Sequence, residues 1–369
     1  MNLSIAKEQL LAGLQSVQNI VSTRTTLPVL SNVLLRAEGD RLSLTATDLD
    51  VTIACSVAAA VKRPGSTTAP VKKLVSIARE LGSSDIELDT DDKNVTSIRS
   101  GASHFRVRGL GPEEFPSMPR FQDDRKVELG QEKLRAMLKR TSFATSSDES
   151  RYVLNGIFFS LHDQRLTLVA TDGRRLAMAE EDAEVGERSQ GDFIVPSKAV
   201  IELGRLLQEK GSVKILVGEN QASFALEDEK GGSITIITKL IEGNYPNYRQ
   251  VIPGEPKERI ALSREDLMHA LRRAEIMTSE KQNSVKLSFS KNNLAISANA
   301  PDIGEAQESL AINYKGVDLA VAFNPGYLID PLTALTNDEV FLELIDELSP
   351  GVLKINGPFL YVVMPMRLT

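Results

Sequence analysis

Apolar residues recur with helical spacing at three places along the chain. In each place two leucines stand four residues apart, and a short apolar run and a polar residue precede them. Because positions i and i+4 lie on one face of a helix, each pair predicts an amphipathic helix with a buried stripe. The pairs are Leu10 and Leu14, Leu134 and Leu138, and Leu267 and Leu271. Their similar surroundings indicate an internal repeat.

A segment of alternating apolar and polar residues follows each of these helices. The segments cover residues 34–48, 157–172 and 285–299, and each contains a polar turn near its middle. This pattern predicts β-hairpins. Asp48 and Asp172 stand at equivalent places after the second strand. We expect both carboxylates to accept hydrogen bonds from backbone amides of a turn.

A second helix is predicted in each copy, and in two copies it is opened by proline. It begins at Pro70, at Pro196 and near Asn324–Pro325. Proline is favoured in the first turn of a helix, where its missing N–H costs nothing. The chain is therefore predicted to be α+β, with three structurally repeated domains at 1–120, 127–252 and 259–369. Each domain should pack two helices on a mostly antiparallel sheet.

Composition places the chain among globular proteins. It has 369 residues, 41% of them hydrophobic, and a single cysteine. No apolar stretch reaches the roughly 18–20 residues of a membrane span, and the N-terminus does not resemble a signal peptide. A chain that cannot form an internal disulfide fits a reducing compartment, so we expect a cytoplasmic protein without a membrane partner.

The net charge of −7 by itself argues against a nucleic-acid partner. The charge is unevenly placed, however, because the predicted helical segments sum to +5 and the remaining residues to −12. If the helices share a surface, that surface can face phosphate; solvated helix faces explain the same imbalance. The helical segments are 7–24, 72–80, 132–151, 198–210, 264–281 and 325–334.

Motifs for catalysis, cofactors or metals are absent from the sequence. Gly109–Gly111 continues into Pro112, so a dinucleotide-binding fingerprint fails. His104, His162 and His269 lack metal-ligand spacing. Cys55 lies in an apolar run and is predicted to be buried and structural. We therefore predict no catalytic site, metal or cofactor. An enzyme that uses Asp48 or Asp172 at a domain junction remains the alternative from a different class.

The chain ends on an apolar segment, whereas chain ends are usually polar. Val362 and Val363 predict a last strand, and Pro365 cannot continue a central ladder. Met364 and Met366 are typical of an adaptable docking surface if they are exposed. The alternative is that both methionines cap the core of the third domain.

Five separated motifs now carry a resemblance to a known family. They are TLPVLSN (26–32), RYVLNG (151–156), VATDGRRLA (169–177), YPNY (245–248) and YVVMPMRL (361–368). In this order and at this length they resemble the β subunit of bacterial DNA polymerase III, the bacterial sliding clamp family. The resemblance covers essentially the whole chain.

The resemblance implies a head-to-tail homodimer that closes a ring around duplex DNA, without sequence readout, in the cytoplasm at the nucleoid. Such a ring gives the replicative polymerase its processivity and needs only weak phosphate contacts. The loop at 147–150, SDES, is acidic where close relatives touch DNA. The residues expected to face DNA are Arg24, Lys72, Lys73, Lys139, Arg140, Tyr152 and Lys198.

The resemblance also implies a groove that binds short peptides of the replicative polymerase, the clamp loader, other polymerases and repair proteins. Arg174 stands where many relatives have histidine, and Gln250 where a basic residue is common. The implied groove residues are Arg151, Leu154, Thr171, Gly173, Arg174, Arg175, Leu176, Pro246, Val251, Asn324, Tyr327, Val362, Val363, Met364, Pro365, Met366 and Arg367. At the dimer interface, Phe105 and Val107 should meet Ile276 and Met277 of the other subunit. A peptide-binding scaffold that is never loaded on DNA is the closest alternative.

Overall fold

The computed structural model describes residues 1–21, 27–82, 85–119, 121, 125–186, 189–227, 232–279 and 282–367. Within them the helices are α1 (Lys7–Val17), α2 (Val71–Glu80), α3 (Gln131–Thr141), α4 (Ser197–Leu206), α5 (Arg264–Glu275) and α6 (Pro325–Ala334). The strands of the first third are β1 (Asn2–Ile5), β2 (Asn32–Glu38), β3 (Arg41–Thr47), β4 (Val51–Ala58), β5 (Ala60–Arg63), β6 (Gly65–Pro70), β7 (Ile86–Thr90), β8 (Val95–Ser100) and β9 (Ser103–Arg108).

The strands of the middle third are β10 (Lys126–Gly130), β11 (Gly156–His162), β12 (Arg165–Thr171), β13 (Arg175–Asp182), β14 (Gly191–Pro196), β15 (Ser212–Val217), β16 (Gln221–Glu227) and β17 (Ser233–Lys239). The strands of the last third are β18 (Glu258–Ser263), β19 (Val285–Ser290), β20 (Asn293–Ala300), β21 (Gly304–Ala311), β22 (Leu319–Phe323), β23 (Glu339–Leu344), β24 (Gly351–Lys354) and β25 (Phe359–Val363).

The three helices predicted from leucine pairs are present but end earlier than predicted. Short 3-10 turns at Gln18–Ile20 and Ser142–Ala144 follow α1 and α3, and α5 ends at Glu275. In α3 the hydroxyl of Thr141 donates to the Met137 carbonyl, 2.9 Å away, which occupies a carbonyl of the last turn. A threonine bonded back onto its own helix favours termination at that point. The end of each apolar stripe, rather than the run of polar residues, marks the end of the helix.

Two helix starts also differ from prediction by one residue, whereas the third agrees with it. Pro70 and Pro196 are the last residues of β6 and β14, immediately before α2 and α4. In α6, Pro325 is the first helical residue, and the side chain of Asn324 accepts the Tyr327 N–H at 3.4 Å. Proline thus separates strand from helix in two copies and opens the helix in the third.

The first compact unit comprises Met1–Arg135, Ala183–Gln190 and Lys198–Leu240. It contains a five-stranded sheet, in the order β5-β1-β7-β8-β9, and an eight-stranded sheet, in the order β10-β15-β16-β17-β4-β3-β2-β6. Helix α1 packs on β4 through its buried stripe of Leu10, Leu14 and Val17. Gly13 permits this approach, because a Cβ there would lie 2.9 Å from a methyl of Leu44.

The second compact unit comprises Ala136–Asp182, Gly191–Ser197 and Ile241–Thr369. It contains an eight-stranded sheet, in the order β14-β11-β12-β13-β25-β24-β23-β18, and a four-stranded sheet, in the order β21-β20-β19-β22. Part of its core is a cluster of Val169, Leu176, Tyr248, Val352 and Val362. Two members of this cluster, Val169 and Leu176, belong to the hairpin of β12 and β13.

The strand pairings described above are antiparallel throughout. The predicted α+β class with antiparallel sheets is therefore confirmed. Two of the pairings join different repeats, because β4 pairs with β17 and β13 pairs with β25. The ranges 1–120, 127–252 and 259–369 remain a prediction, since the compact units divide the chain in another way.

Candidate functional site

The turn at Thr171–Arg175 is the best-defined part of the implied groove. The Thr171 hydroxyl donates to the Arg175 carbonyl at 2.6 Å and accepts the Gly173 N–H at 3.1 Å. The Asp172 carboxylate accepts the N–H groups of Arg174 and Arg175 at 2.9 and 3.1 Å. Asp48 binds its own turn in the same way, at 3.0 and 2.8 Å. The prediction that both aspartates bind turn amides is confirmed.

Arg175 is held on every side of its guanidinium. Its Nε donates to Asp172 at 3.0 Å, one Nη donates to Asp330 at 2.5 Å, and the other donates to the Phe143 carbonyl at 2.7 Å. Its carbon Cζ lies 4.5 Å from the ring centre of Tyr327. Burial is the largest single influence and lowers the pKa of Arg175, but the hydrogen bond to Asp330 and the interactions with Tyr361 and the Asp330 charge together outweigh it, so the pKa is raised. The side chain is a fixed cation, not a titrating group.

Tyr361 supports the same cluster from below. Its ring is fully buried and lies 5.7 Å from that of Phe143, and its hydroxyl donates to the Tyr327 carbonyl at 2.6 Å. Burial raises the pKa of the Tyr361 phenol, which therefore stays protonated as a donor. Sequence reasoning missed Tyr361, Asp330 and Phe143. Two signals were available, because Tyr361 begins the YVVMPMRL motif and Asp330 lies three residues after Tyr327, on the same helix face.

Arg151 closes the exposed side of the turn. Its Nη1 donates to the Asp172 carbonyl at 2.9 Å, and its Nε donates to Asp148 at 3.1 Å. Hydrogen bonds from Ser150 lower the pKa of Asp148, which keeps this pair charged. Gly173 has φ +83°, and a Cβ there would lie 2.7 Å from Arg151. Glycine therefore serves both the backbone conformation and the approach of Arg151.

The C-terminal segment runs along this cluster. Val362 and Val363 are buried in β25, which pairs with β13 through Leu176 and Arg175. After β25 the Met364 N–H donates to the Arg174 carbonyl at 2.9 Å, and the Met366 N–H donates to the Ala322 carbonyl at 2.7 Å.

The side chains of Met364 and Met366 are 45% and 39% exposed. The structure thus favours the exposed alternative over two methionines that cap a core. Pro365 is half-buried between them, where the chain passes from the eight-stranded to the four-stranded sheet. Because proline has no N–H, no backbone donor is left unpaired at this point.

The remaining implied groove residues lie on separate segments of the second unit. Leu154 is buried at the end of the 3-10 turn Glu149–Leu154. Pro246 is exposed in the segment that leads to the 3-10 turn Tyr248–Val251, where Val251 is 49% exposed. Arg367 is exposed beyond Met366. Their part in peptide binding stays a prediction, as does the effect of Arg174 and Gln250, which are both exposed.

The residues expected to face DNA lie mainly on helices. Lys72 and Lys73 are exposed on α2, and Lys139 is exposed in the last turn of α3 beside the half-buried Arg140. Tyr152 is 58% exposed. Lys198 instead forms an ion pair with Asp48 in the first unit. Arg24 lies outside the described residues.

The residues expected at the dimer interface lie at two sheet edges. Phe105, 39% exposed, and the half-buried Val107 are on β9, the edge of the five-stranded sheet. Ile276, 69% exposed, and the half-buried Met277 follow α5. The sulfur of Met277 lies near Gly304, which begins the edge strand β21. Both edges therefore combine apolar side chains with a strand that lacks one neighbour within its sheet.

Other candidate chemistry resolves into local structure. Cys55 is buried, its thiol donates to the Gly13 carbonyl at 3.5 Å, and burial raises its pKa to about 12. The prediction that Cys55 is buried is confirmed. Among the residues that the structure describes, no cluster of three His, Cys, Asp or Glu side chains could hold a metal ion. Within the described ranges, no helix is long and apolar enough to cross a membrane.

Comparison with known proteins gives one consistent result. The N-terminal, central and C-terminal domains of the DNA polymerase III beta subunit match residues 1–119, 128–247 and 249–367. The beta sliding clamp of Chlamydia muridarum is 37% identical over 100% of this chain and 99% of its own length. That of Pseudomonas putida is 36% identical over 100% of both chains.

A solved structure agrees with the sequence relatives. The crystal structure of the DNA polymerase III subunit beta from Pseudomonas aeruginosa superimposes with a TM-score of 0.93 at 36% identity, over 100% of both chains. The three repeated α+β domains are therefore those of a clamp. The chain belongs to the DNA polymerase III beta subunit family, the beta sliding clamps.

Proposed function

We propose that two copies of this chain close a ring around duplex DNA and hold the replicative polymerase on it. The observation that carries the proposal is the exposed Met364–Met366 segment, fixed by backbone bonds beside the Arg175 cluster. This surface is preorganised, because backbone hydrogen bonds to Arg174 and Ala322 fix the segment in place. It supports docking of the polymerase, the clamp loader, other polymerases and repair proteins through short peptides.

The physical character of the surface suits exchange of partners. Two flexible thioethers flank the cluster of the partly buried, permanently charged Arg175, and the polar rim includes Asn324, Arg151 and Arg174. Methionine adapts to different side chains, whereas the fixed cation and backbone groups define the peptide's register. A small groove of this kind gives modest affinity, which permits one partner to replace another.

The ring rests on the two sheet edges. Strand β9 carries Arg106 and Arg108 on either side of Val107, whereas β21 carries Glu305. Glu308 of β21 is already paired with Arg273 of its own chain, at 2.6 Å. Pairing of β9 with β21 of a second copy joins unlike surfaces, and two such head-to-tail contacts close a dimer. Such pairing would also remove both exposed edges, which otherwise invite aggregation.

The ring would hold DNA by topology, so that strong contacts are unnecessary. The six helices carry a net charge of +5 in a chain of net charge −7. A weakly positive helical surface toward the duplex permits sliding, because tight phosphate contacts would act as a brake. We propose three domains at 1–120, 127–252 and 259–369, no catalytic role, and a cytoplasmic location at the nucleoid.

The decisive experiment measures retention on DNA after loading by a clamp loader. Protein on a nicked circle is separated from free protein by gel filtration before and after the circle is cut once. We expect the protein to remain on the circle and to leave the linear product. Equal retention on both forms would show ordinary electrostatic binding. A scaffold that is never loaded would be absent from both forms yet still bind peptides.

The docking surface is tested separately by fluorescence polarisation. A fluorescein-labelled peptide from the clamp-binding segment of the polymerase is titrated with the protein and with a Met364→Ala, Met366→Ala double variant. We expect a loss of about tenfold or more, because buried apolar anchors dominate small interfaces. Val317→Ala is the control, since Val317 is 78% exposed in the same unit. Equal loss in both variants would remove Met364 and Met366 from the proposed surface.

The dimer is tested by sedimentation velocity. Ile276→Asp places a charge at the proposed interface, and Leu348→Asp places one on another exposed apolar residue of the second unit, 74% exposed. We expect dissociation only for Ile276→Asp, because an unpaired charge in an apolar contact is costly. A dimer that withstands this change would place the interface elsewhere.

A further inference from the structure

The four-stranded sheet of the second unit has one covered face and one open face. In β19, Val285, Leu287 and Phe289 are buried, and α5 packs against this sheet. Because side chains alternate along a strand, Lys286 points to the other face. In β20, Ser297 stands opposite Lys286 across the ladder, so that it shares this open face.

A small polar cavity of about 180 Å³ opens on that face. Its lining is polar and carries two cations but no carboxylate. The residues that matter here are Gln282, Ser284, Lys286, Ser297, Asn299 and Arg367. Neither Lys286 nor Arg367 forms an ion pair with any residue that the structure describes. Hydroxyl and amide donors therefore surround two cations that have no counter-charge among the described residues.

One group in this cavity lacks a hydrogen-bond partner among the residues that the structure describes. The side-chain oxygen of Gln282 is buried and accepts no hydrogen bond from any of them, although the Gln282 backbone forms reciprocal bonds with Ser279 at 3.1 and 3.2 Å. A buried acceptor without a donor is unfavourable, so an occupant that brings an N–H would be favoured. A well-matched occupant would therefore supply an anionic acceptor for the two cations and a hydrogen-bond donor for Gln282.

The cavity continues the surface formed by Met364 and Met366. The Met366 N–H donates to the Ala322 carbonyl, and Ala322 pairs with Lys286 in the ladder of β19 and β22. Arg367 follows Met366 directly and lines the cavity. A peptide that covers Met366 would therefore reach the cavity with its next residues.

We propose that this cavity binds an acidic side chain of the docked partner, one that flanks the peptide segment on Met364 and Met366. Lys286 and Arg367 pair with the carboxylate, Ser297 and Asn299 donate to it, and a backbone N–H of the partner donates to Gln282. The inference rests on the proposed docking function and names a specificity element within it.

The volume and the donor requirement select this occupant over two others. Small-molecule sites usually measure roughly 300–1,000 Å³, so a cavity of 180 Å³ admits a side chain rather than a nucleotide. A DNA phosphate would match the cations, but it offers no donor to Gln282. The site also lies on the sheet face opposite α5, whereas helices carry the charge proposed to face DNA.

The test uses two pairs of fluorescein-labelled peptides. The clamp-binding segment of the polymerase is extended by three residues, either Asp or Asn, at its N-terminal end in one pair and at its C-terminal end in the other. With the unchanged protein, we expect the Asp peptide of one pair to bind about fivefold more tightly than its Asn counterpart at low salt. The difference should shrink as ionic strength rises.

Lys286→Gln should reduce that difference below about twofold and leave the affinity for the Asn peptide unchanged. Arg367→Gln should reduce the difference as well. Lys291→Gln is the matched control, because Lys291 is an exposed lysine in the turn between β19 and β20 and does not line the cavity. It should keep the full preference for the Asp peptide.

Three results overturn the inference. Equal binding of Asp and Asn peptides in both pairs would show that no acidic residue is recognised. If the preference for the Asp peptide survives in both Lys286→Gln and Arg367→Gln, the acidic residue binds outside this cavity. Weaker binding of a duplex oligonucleotide by Lys286→Gln, with peptide binding unchanged, would identify phosphate as the occupant. If the unextended segment itself fails to bind, the proposed docking function fails instead.

Discussion

The turns at Thr47–Val51 and Thr171–Arg175 are built with the same hydrogen bonds. In each, a threonine hydroxyl donates to the carbonyl four residues on, and an aspartate accepts two backbone N–H groups. They differ in what the second carboxylate oxygen contacts. Asp48 contacts Lys198, which is 54% exposed, whereas Asp172 contacts Arg175, whose side chain is only 11% exposed.

This difference shows how a repeated frame acquires two roles. In the first unit the turn anchors α4 through a solvated lysine. In the second unit the residue at the end of the turn, Arg175 instead of Val51, extends inward and gathers Asp330 and Tyr327 around it. The backbone of the turn is thus the same in both units, and the side chain of its last residue determines whether a docking surface forms beside it.

The largest effect is expected when the Arg175 cation is removed. Arg175→Met leaves Asp172 and Asp330 without their partner, and loss of one member of a buried pair costs about 3–5 kcal/mol. We expect a decrease of about 3 kcal/mol in the free energy of unfolding, since Asp330 is partly exposed. Urea denaturation followed by circular dichroism measures it. Arg174→Met, at an exposed neighbour, is the control and should change stability by less than about 0.5 kcal/mol.

The second effect separates the two turns directly. Asp172→Ala removes two amide bonds and a bond to a buried guanidinium, for which we expect about 2–3 kcal/mol. Asp48→Ala removes two amide bonds and a contact with an exposed lysine, for which we expect about 1–2 kcal/mol. Urea denaturation of both variants gives the order. Equal costs for the two alanine variants would mean that the bond to Arg175 does not stabilise the turn. Asp172→Asn keeps one acceptor oxygen, so its loss of stability should be smaller than that of Asp172→Ala.

The third effect is the alkaline pH dependence that Cys55 adds to the stability of the first unit. Cys55 lies four residues after its turn, where the second copy has Ala179. Its folded pKa of about 12 exceeds the ordinary value of 9.0, so stability from the protonated thiol is complete below pH 9 and is lost as pH rises toward 12.

The difference in free energy of unfolding between the unchanged protein and Cys55→Ala is compared at pH 7.5 and pH 10. At pH 10 this difference should have shifted by about 1.4 kcal/mol against the unchanged protein. Urea denaturation of both proteins at the two pH values measures this change. Ala179→Cys is the matched variant, and it should acquire a similar loss in the second unit. A constant difference between Cys55→Ala and the unchanged protein from pH 7.5 to 10 would contradict the assignment.

The smallest effect concerns the backbone of the two turns. Leu49 and Gly173 have φ +79° and +83°, a region that disfavours residues with a Cβ. Gly173→Ala should cost about 1 kcal/mol and displace Arg151, whereas Leu49→Gly should stabilise by about 0.5 kcal/mol. Thermal unfolding of the two variants measures both. If both variants change the stability in the same direction, the two turns differ in more than the residue at their third position, Leu49 or Gly173.

Local features of the fold were predictable from the sequence, and long-range ones were not. The hairpins follow from alternation, and the role of Asp48 and Asp172 follows from the chemistry of a short carboxylate at a turn. Helix ends were predicted too late, because polar residues after Val17 and Thr141 fit a helix as well as a 3-10 turn. The partners of Arg175 were not predictable, since Asp330 lies 155 positions away in sequence.

The pairing of strands from different repeats was also beyond the sequence. Alternation shows which side of a strand is buried, but it does not identify the neighbour, and β4 with β17 or β13 with β25 have no local signal. The resemblance to clamps identified many residues around Arg175 without explaining them. The structure supplies the explanation, because Tyr361, Asp330 and Phe143 hold Arg175 in place.

The two ladders that cross repeat boundaries constrain how such a chain can evolve. The strands of the middle repeat are shared between two sheets, one completed by β4 and the other by β25. Deleting any single repeat would leave a long strand edge without its partner, which is a template for aggregation. A gene of this kind can diverge copy by copy, but it cannot lose or exchange a copy. The three repeats are therefore inherited as one indivisible unit, however different their surfaces become.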